Sequence, residues 1–282
     1  MLTIEVKYRP VSWLPFSGKA ESKVPQNWGE LNQKQLVAVA SLFNSASSDI
    51  AFLQSMSGLK KSILNKLSDY ERHKLMEIFE FVGDQKPYHE FVIRRLELRW
   101  LWSLSLSKWS KPGVILFAPQ PKLKGVTFGQ FIFADTYFGN YQQSQNETDL
   151  NKFIASLYLG MNEKFEERLI QERFLCIGKL DLNIRQSVAL NFQLIHEWLA
   201  LAYPLIFQKR EELTSTGSVS GEPLPEREAV EGSSKRDPNQ WIKVFQNFVG
   251  DDILHDDVWA SKPVNTIFAY MTRKYKENAR RN

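Results

Sequence analysis

Thr127-Phe128-Gly129-Gln130-Phe131 decides how the chain is read, together with its echo about a hundred residues earlier, Asn27-Trp28-Gly29-Glu30-Leu31. Each pentad sets a capping residue, an aromatic, a glycine, a Glu or Gln and an apolar residue in that order. The Thr or Asn side chain can accept from the backbone N–H three residues on. The Glu or Gln can reach back to the cap's own N–H, the reciprocal arrangement of a capping box. Each pentad precedes an apolar run of helical spacing, so the two mark the start of an N-terminal and a central helical unit. The segments after Leu31 and Phe131 do not match further, so the echo is not an internal duplication.

Working outward, Leu31, Leu36, Val39, Ala40 and Phe43 form a helical stripe. A second helix is expected over 49–56, closed by Gly58. Ser68-Asp69-Tyr70-Glu71 is another capping box, opening a helix with Leu75, Ile78, Phe79 and Val82 inside. Pro87 fits the first turn of a long helix over 88–106 that is apolar on most sides. Past the second pentad, helices are expected over 128–140, from a cap at Asp149, over 165–175 and over 180–207. The last should break near Tyr203, because the residue before a proline is disfavoured in the α region.

Strand signals are few. Leu2, Ile4, Val6 and Tyr8 alternate with Thr3, Glu5 and Lys7. Residues 114–118 are a short apolar run between turn signals, able to pair with that strand. Residues 11–26, with Pro15, Gly18 and Pro25, read as extended or irregular. The expected fold class is mainly α, with helical bundle-like units and a minor short β element (the N-terminal strand and residues 114–118).

Four parts follow in order. Residues 1–122 hold the strand and a helical unit, and 123–212 form a central helical unit packed on it. Residues 213–239, rich in Gly, Pro and Ser and without an aromatic, are expected to be a disordered linker. Residues 240–282 are expected to form a helix pair with a basic tail.

The composition is that of a globular chain: 282 residues, 43% apolar, 24% charged. Eight Trp and nineteen Phe point first to a large aromatic core. A formal net charge of +4 does not mark a dedicated nucleic-acid protein. The single cysteine, Cys176, lies in an apolar run and excludes an internal disulfide or a cysteine-based zinc site. Residues 1–8 lack the pattern of a secretory leader, and no run of eighteen apolar residues occurs. A cytoplasmic location without a membrane span is the expectation.

No local catalytic signature is present, neither a phosphate loop, a nucleophile elbow nor a paired-histidine zinc motif. No catalytic residue, cofactor or metal is assigned, and the chain is expected not to be an enzyme. His73 and His89 sit in charged surroundings and read as solvated. His196, between Ile195 and Glu197 on a mostly apolar helix, reads as a satisfied core or boundary histidine. Asp251 to Asp257 gather four carboxylates around His255. Asp252, His255 and Asp256 are the residues that would hold a hard divalent cation there. An acidic helix start, matched to the helix dipole, is the preferred reading.

Two basic regions remain. Arg94, Arg95 and Arg99 interleave with Trp100, Trp102 and Trp109, a composition suited to stacking on single-stranded nucleic acid. A core helix with snorkelling arginines explains it better. Arg273, Lys274, Lys276, Arg280 and Arg281 form the basic tail, read first as a solvated helix end.

The order of pieces carries a resemblance. A Pro-x-x-Trp-Gly-Glu-Leu entry (Pro25 to Leu31) precedes a helical unit. The Thr-Phe-Gly-Gln-Phe entry and a Leu-x-x-Phe-Ile-Ala-x-Leu-Tyr segment (Leu150 to Tyr158) follow. A polar linker and a Trp-initiated helix pair close the series. This resembles helical proteins of phage and prophage structural gene clusters, notably tail assembly chaperone-like proteins. The resemblance implies binding rather than catalysis, with a tape-measure or other phage structural protein as partner. Trp241, Phe245, Phe248, Ile267 and Phe268 would be the partner-facing residues, swung on the linker. The alternative function is nucleic-acid association through the Arg/Trp-rich region and the basic tail. A metal-dependent enzyme at Asp251 to Asp257 is the third reading.

Overall fold

The structure is a computed structural model that describes residues 1–9, 18–44, 47–84, 86–98, 114–207 and 256–281. The described residues are mainly helical, with two small sheets, as expected. Eleven helices are labelled α1 to α11: α1 (Gln33–Phe43), α2 (Asp49–Ser57), α3 (Lys61–Leu64), α4 (Asp69–Glu77), α5 (Phe128–Ser144), α6 (Glu147–Leu157), α7 (Arg168–Ile177), α8 (Leu182–Ala202), α9 (Pro204–Phe207), α10 (Asp256–Ala260) and α11 (Val264–Arg281). The strands are β1 (Leu2–Tyr8), β2 (Gly18–Val24), β3 (Arg95–Leu98) and β4 (Val114–Phe117).

The helix starts follow side-chain chemistry. Ser68 and Glu71 form the expected capping box of α4. Thr127 caps α5, accepting from Gln130 N at 3.2 Å. The first pentad behaves differently. Asn27 makes no cap bond, and Trp28–Glu30 is a short 3₁₀ turn. Trp28 is buried there, and its indole donates to Asp84 O at 3.2 Å. The true box lies five residues further on, where Asn32 and Gln35 cap each other and open α1. Truncating Asn32 to alanine removes that cap and should cost about 1 kcal/mol of stability by chemical denaturation. A loss below roughly 0.3 kcal/mol would remove the box from the account. Asn146, not Asp149, caps α6, with Asp149 inside the first turn. The break at Tyr203 is present, with φ −134° and ψ 62° between α8 and α9.

The sheets correct two expectations. β1 pairs antiparallel with β2, from Leu2↔Val24 to Tyr8↔Gly18, and not with residues 114–118. In β2, Ala20, Ser22 and Val24 alternate with Lys19, Glu21 and Lys23, a polar alternation that still suits a sheet. β4 pairs instead with β3, from Arg95↔Phe117 to Leu98↔Val114. Residues 95–98 are therefore strand, and the expected helix over 88–106 does not form in its described part. Phe91, Ile93, Leu96 and Leu98 are the buried residues of that stretch. Their spacing alternates in pairs rather than turning at 3.6 residues.

The buried apolar side chains form one contiguous cluster from Val6 to Met271. Its densest part is aromatic. Phe131, Phe138, Phe153, Phe192 and Phe268 are all within 2% exposure. The C-terminal helices belong to this cluster. Phe128 N donates to Lys262 O at 2.8 Å and Val264 N to Val126 O at 3.0 Å, closing an antiparallel bridge at Thr127↔Pro263. Gly129 makes the approach possible, since a Cβ there would lie 3.2 Å from the Ala260 methyl. The expected linker at 213–239 lies outside the described residues.

Candidate functional site

The polar groups best placed for chemistry sit where α5, α6 and α8 meet. On α5, Phe131, Asp135 and Phe138 share one face by helical spacing, and on α8 Phe192, His196 and Leu199 do the same. His196 Nε2 lies 2.5 Å from Asp135 Oδ1, with side chains 11% and 3% exposed. The imidazole stacks on Phe131 and Phe138, with centroids 6.3 and 5.7 Å away. It meets Phe192 and Phe207 edge-on at 4.9 and 6.1 Å. An imidazole and a carboxylate in contact can orient a nucleophile. Here the surrounding groups are phenyl rings, and the pair joins α5 to α8. His196 is thus the core histidine that the sequence suggests. Asp135 as its partner escaped sequence reading; a carboxylate at a core position between Phe131 and Phe138 was the available signal.

A buried arginine is committed in the same way. Arg185 is 4% exposed. Its Nη1 donates to Asn151 Oδ1 at 2.8 Å, its Nε to Leu180 O at 3.2 Å, and its Nη2 lies 2.9 Å from Glu147 Oε2. The fork ties α8 to the first turns of α6. Gly178 leaves room for it, because a Cβ would stand 2.8 Å from Asn151 Nδ2. Buried Gln130 donates to Ser156 O and Leu157 O at 3.0 and 3.3 Å, satisfying carbonyls at the end of α6. Gln130 therefore completes α6 instead of the reciprocal half of its own capping box.

Asn191 clamps the extended segment before β3. It accepts from Val92 N at 2.7 Å and donates to Glu90 O at 2.8 Å. The buried Tyr158 hydroxyl donates to Ile93 O at 2.7 Å, and burial pushes its pKa far above the ordinary tyrosine value. Glu163 accepts from Arg173 and from Gly160 N. The hydrogen bond from Arg173 chiefly holds its carboxyl below the ordinary value.

Beside β4 lies a cleft of about 170 Å³, lined by Phe117, Pro119, Gln120, Lys124, Gln130 and Leu159. Sites that enclose a small-molecule ligand are ordinarily of roughly 300–1,000 Å³.

The other sequence candidates fall as follows. Ile267 and Phe268 are 1% and 0% exposed, packed in the chain's own core and not presented to a partner. Trp241, Phe245, Phe248, Asp252 and His255 lie outside the described residues. Asp256 opens α10. Among the described residues no group of three or more His, Cys, Asp or Glu gathers as for a metal. His73 is exposed beside Glu77, and His89 is partly exposed, its ring near Tyr88 and Trp198. Arg94 and Arg95 are exposed, and Arg99, Trp100, Trp102 and Trp109 lie outside the described residues. Cys176 is half-buried against the core. Among the described residues no helix is long and apolar enough to cross a membrane.

Compared with family models, curated proteins and solved structures, the chain matches none of them.

Proposed function

We propose that this protein is a non-enzymatic binding protein, an assembly factor of the tail assembly chaperone-like kind, that engages a partner protein through exposed helical surface. The carrying observation is the commitment of its buried polar groups. His196 with Asp135, walled by phenyl rings, and buried Arg185 with Asn151 and the exposed Glu147 join helices to one another. The chain's means of action is then its surface. At the corner between α8 and α9, Leu201 is 71% exposed and Leu205 45%, on either side of the Tyr203 break. Two unpaired leucines on a fixed corner suit the apolar stripe of a long helical partner such as a tape-measure protein.

The test is co-expression with a tape-measure-type protein, followed by size-exclusion chromatography. The parent chain should co-elute with it. The double variant Leu201→Asp/Leu205→Asp should bind at least about tenfold more weakly, as for loss of a central apolar contact. Its melting temperature should hardly move, since these are surface positions. Separate elution of the parent and the partner contradicts the reading.

A further inference from the structure

The first half of α11 is core. Val264, Ile267, Phe268 and Met271 are buried, all within 2% exposure. Every side chain over 273–280 is exposed. The helix is thus anchored at one end and stands free of the fold over its last turns. Over 272–281 the sequence carries five cations, Arg273, Lys274, Lys276, Arg280 and Arg281, against one carboxylate, Glu277. By helical spacing, Arg273, Lys276 and Arg280 fall on one stripe, opposite the anchored face. Arg273 and Lys274 lie over the Tyr270 ring at 5.1 and 5.8 Å, which steadies the start of the stripe. Glu277 lies 3.8 Å from Arg273 in an exposed pair that hardly reduces the field.

The helix dipole explains cations only in the last turn, where it favours Arg280 and Arg281. Arg273, Lys274 and Lys276 lie further back and need another reason. We infer that the projecting end of α11 binds the phosphate backbone of nucleic acid. Ten helical residues span about 15 Å. That is the axial length of roughly four phosphates of one strand at ~3.4 Å each. An anionic membrane fits less well, because a helix lying on lipid needs a large apolar face. The apolar face of α11 is spent inside the core, and the projecting part offers only Tyr275 and Ala279 as apolar side chains.

The test measures binding of the full chain to a labelled DNA duplex of about 20 base pairs by fluorescence anisotropy. For three to four phosphates contacted, affinity should fall roughly 40- to 150-fold between about 50 and 200 mM salt. The variant Arg273→Glu/Lys276→Glu/Arg280→Glu should bind at least about tenfold more weakly at low salt. Arg273→Lys/Arg280→Lys should retain binding, because phosphate neutralisation needs only charge. Should the triple variant not fold, Lys276→Glu alone with the parent's salt slope carries the test. Absence of duplex binding at about 50 mM salt overturns the inference. So does a charge-reversed variant that binds like the parent, or equal affinity for anionic vesicles or polyglutamate.

Discussion

Truncating Phe268 to alanine is expected to destabilise the protein by about 3–5 kcal/mol. Phe268 is fully buried on α11, and four aromatic rings close on it. Phe207 and Phe131 meet it edge-on at 5.1 and 5.2 Å, Phe128 does so at 6.2 Å, and Tyr203 lies tilted at 5.2 Å. The rings come from α5, from α9 and from the α8–α9 junction, so one side chain holds together elements distant in sequence. Alanine there removes the burial and leaves a cavity among rigid rings that relax only partly. Urea denaturation followed by circular dichroism measures the loss, and Phe268→Leu should cost clearly less. A midpoint unchanged in Phe268→Ala would mean that α11 does not belong to the cooperative unit.

Asp135→Ala is expected to cost a similar amount, about 3–5 kcal/mol. It leaves the His196 imidazole facing a cavity inside a wall of phenyl rings. Two buried polar partners in contact gain from each other, and removing one exposes the desolvation cost of the other. Replacing both by leucine should cost much less than the sum of the two single changes, because neither polar group is then stranded. A double-mutant cycle should give a coupling of about 1–3 kcal/mol. Additive losses within about 0.5 kcal/mol would separate the two residues energetically and reduce their contact to coincidence.

The local features of this fold were legible in the sequence, and the long-range ones were not. Thr127, Ser68 and the Tyr203-Pro204 break were readable because the groups that satisfy them lie within a few residues. The expected helix over 88–106 failed for the opposite reason. Pro87 and a dense apolar run suggested a helix, but the backbone there is satisfied from elsewhere. Tyr88 N donates to Leu194 O at 3.2 Å, and Asn191 clamps residues 90–92 across about a hundred positions of sequence. No periodicity within the segment reports such a partner. Asn27 misled similarly. Its pentad has the composition of a capping box, but burial of Trp28 against Asp84 draws the turn into a 3₁₀ geometry and delays the helix to Asn32.

The site was legible only in part. His196 could be recognised as a core histidine from its apolar neighbours. Its pairing with Asp135 depends on how α5 and α8 cross, which neither helix encodes alone. The stripe on α11 shows the same division. Its cations are visible in the sequence, whereas their projection from the fold depends on where Phe268 docks.

α11 is part of the core and not a tethered arm. Native-state hydrogen exchange of the amides over 268–272 tests it most directly. Docked in the core, those amides should exchange with an opening free energy close to that of α5 and α8, through global unfolding. Exchange near the unprotected rate, with α5 and α8 still protected, would contradict the account.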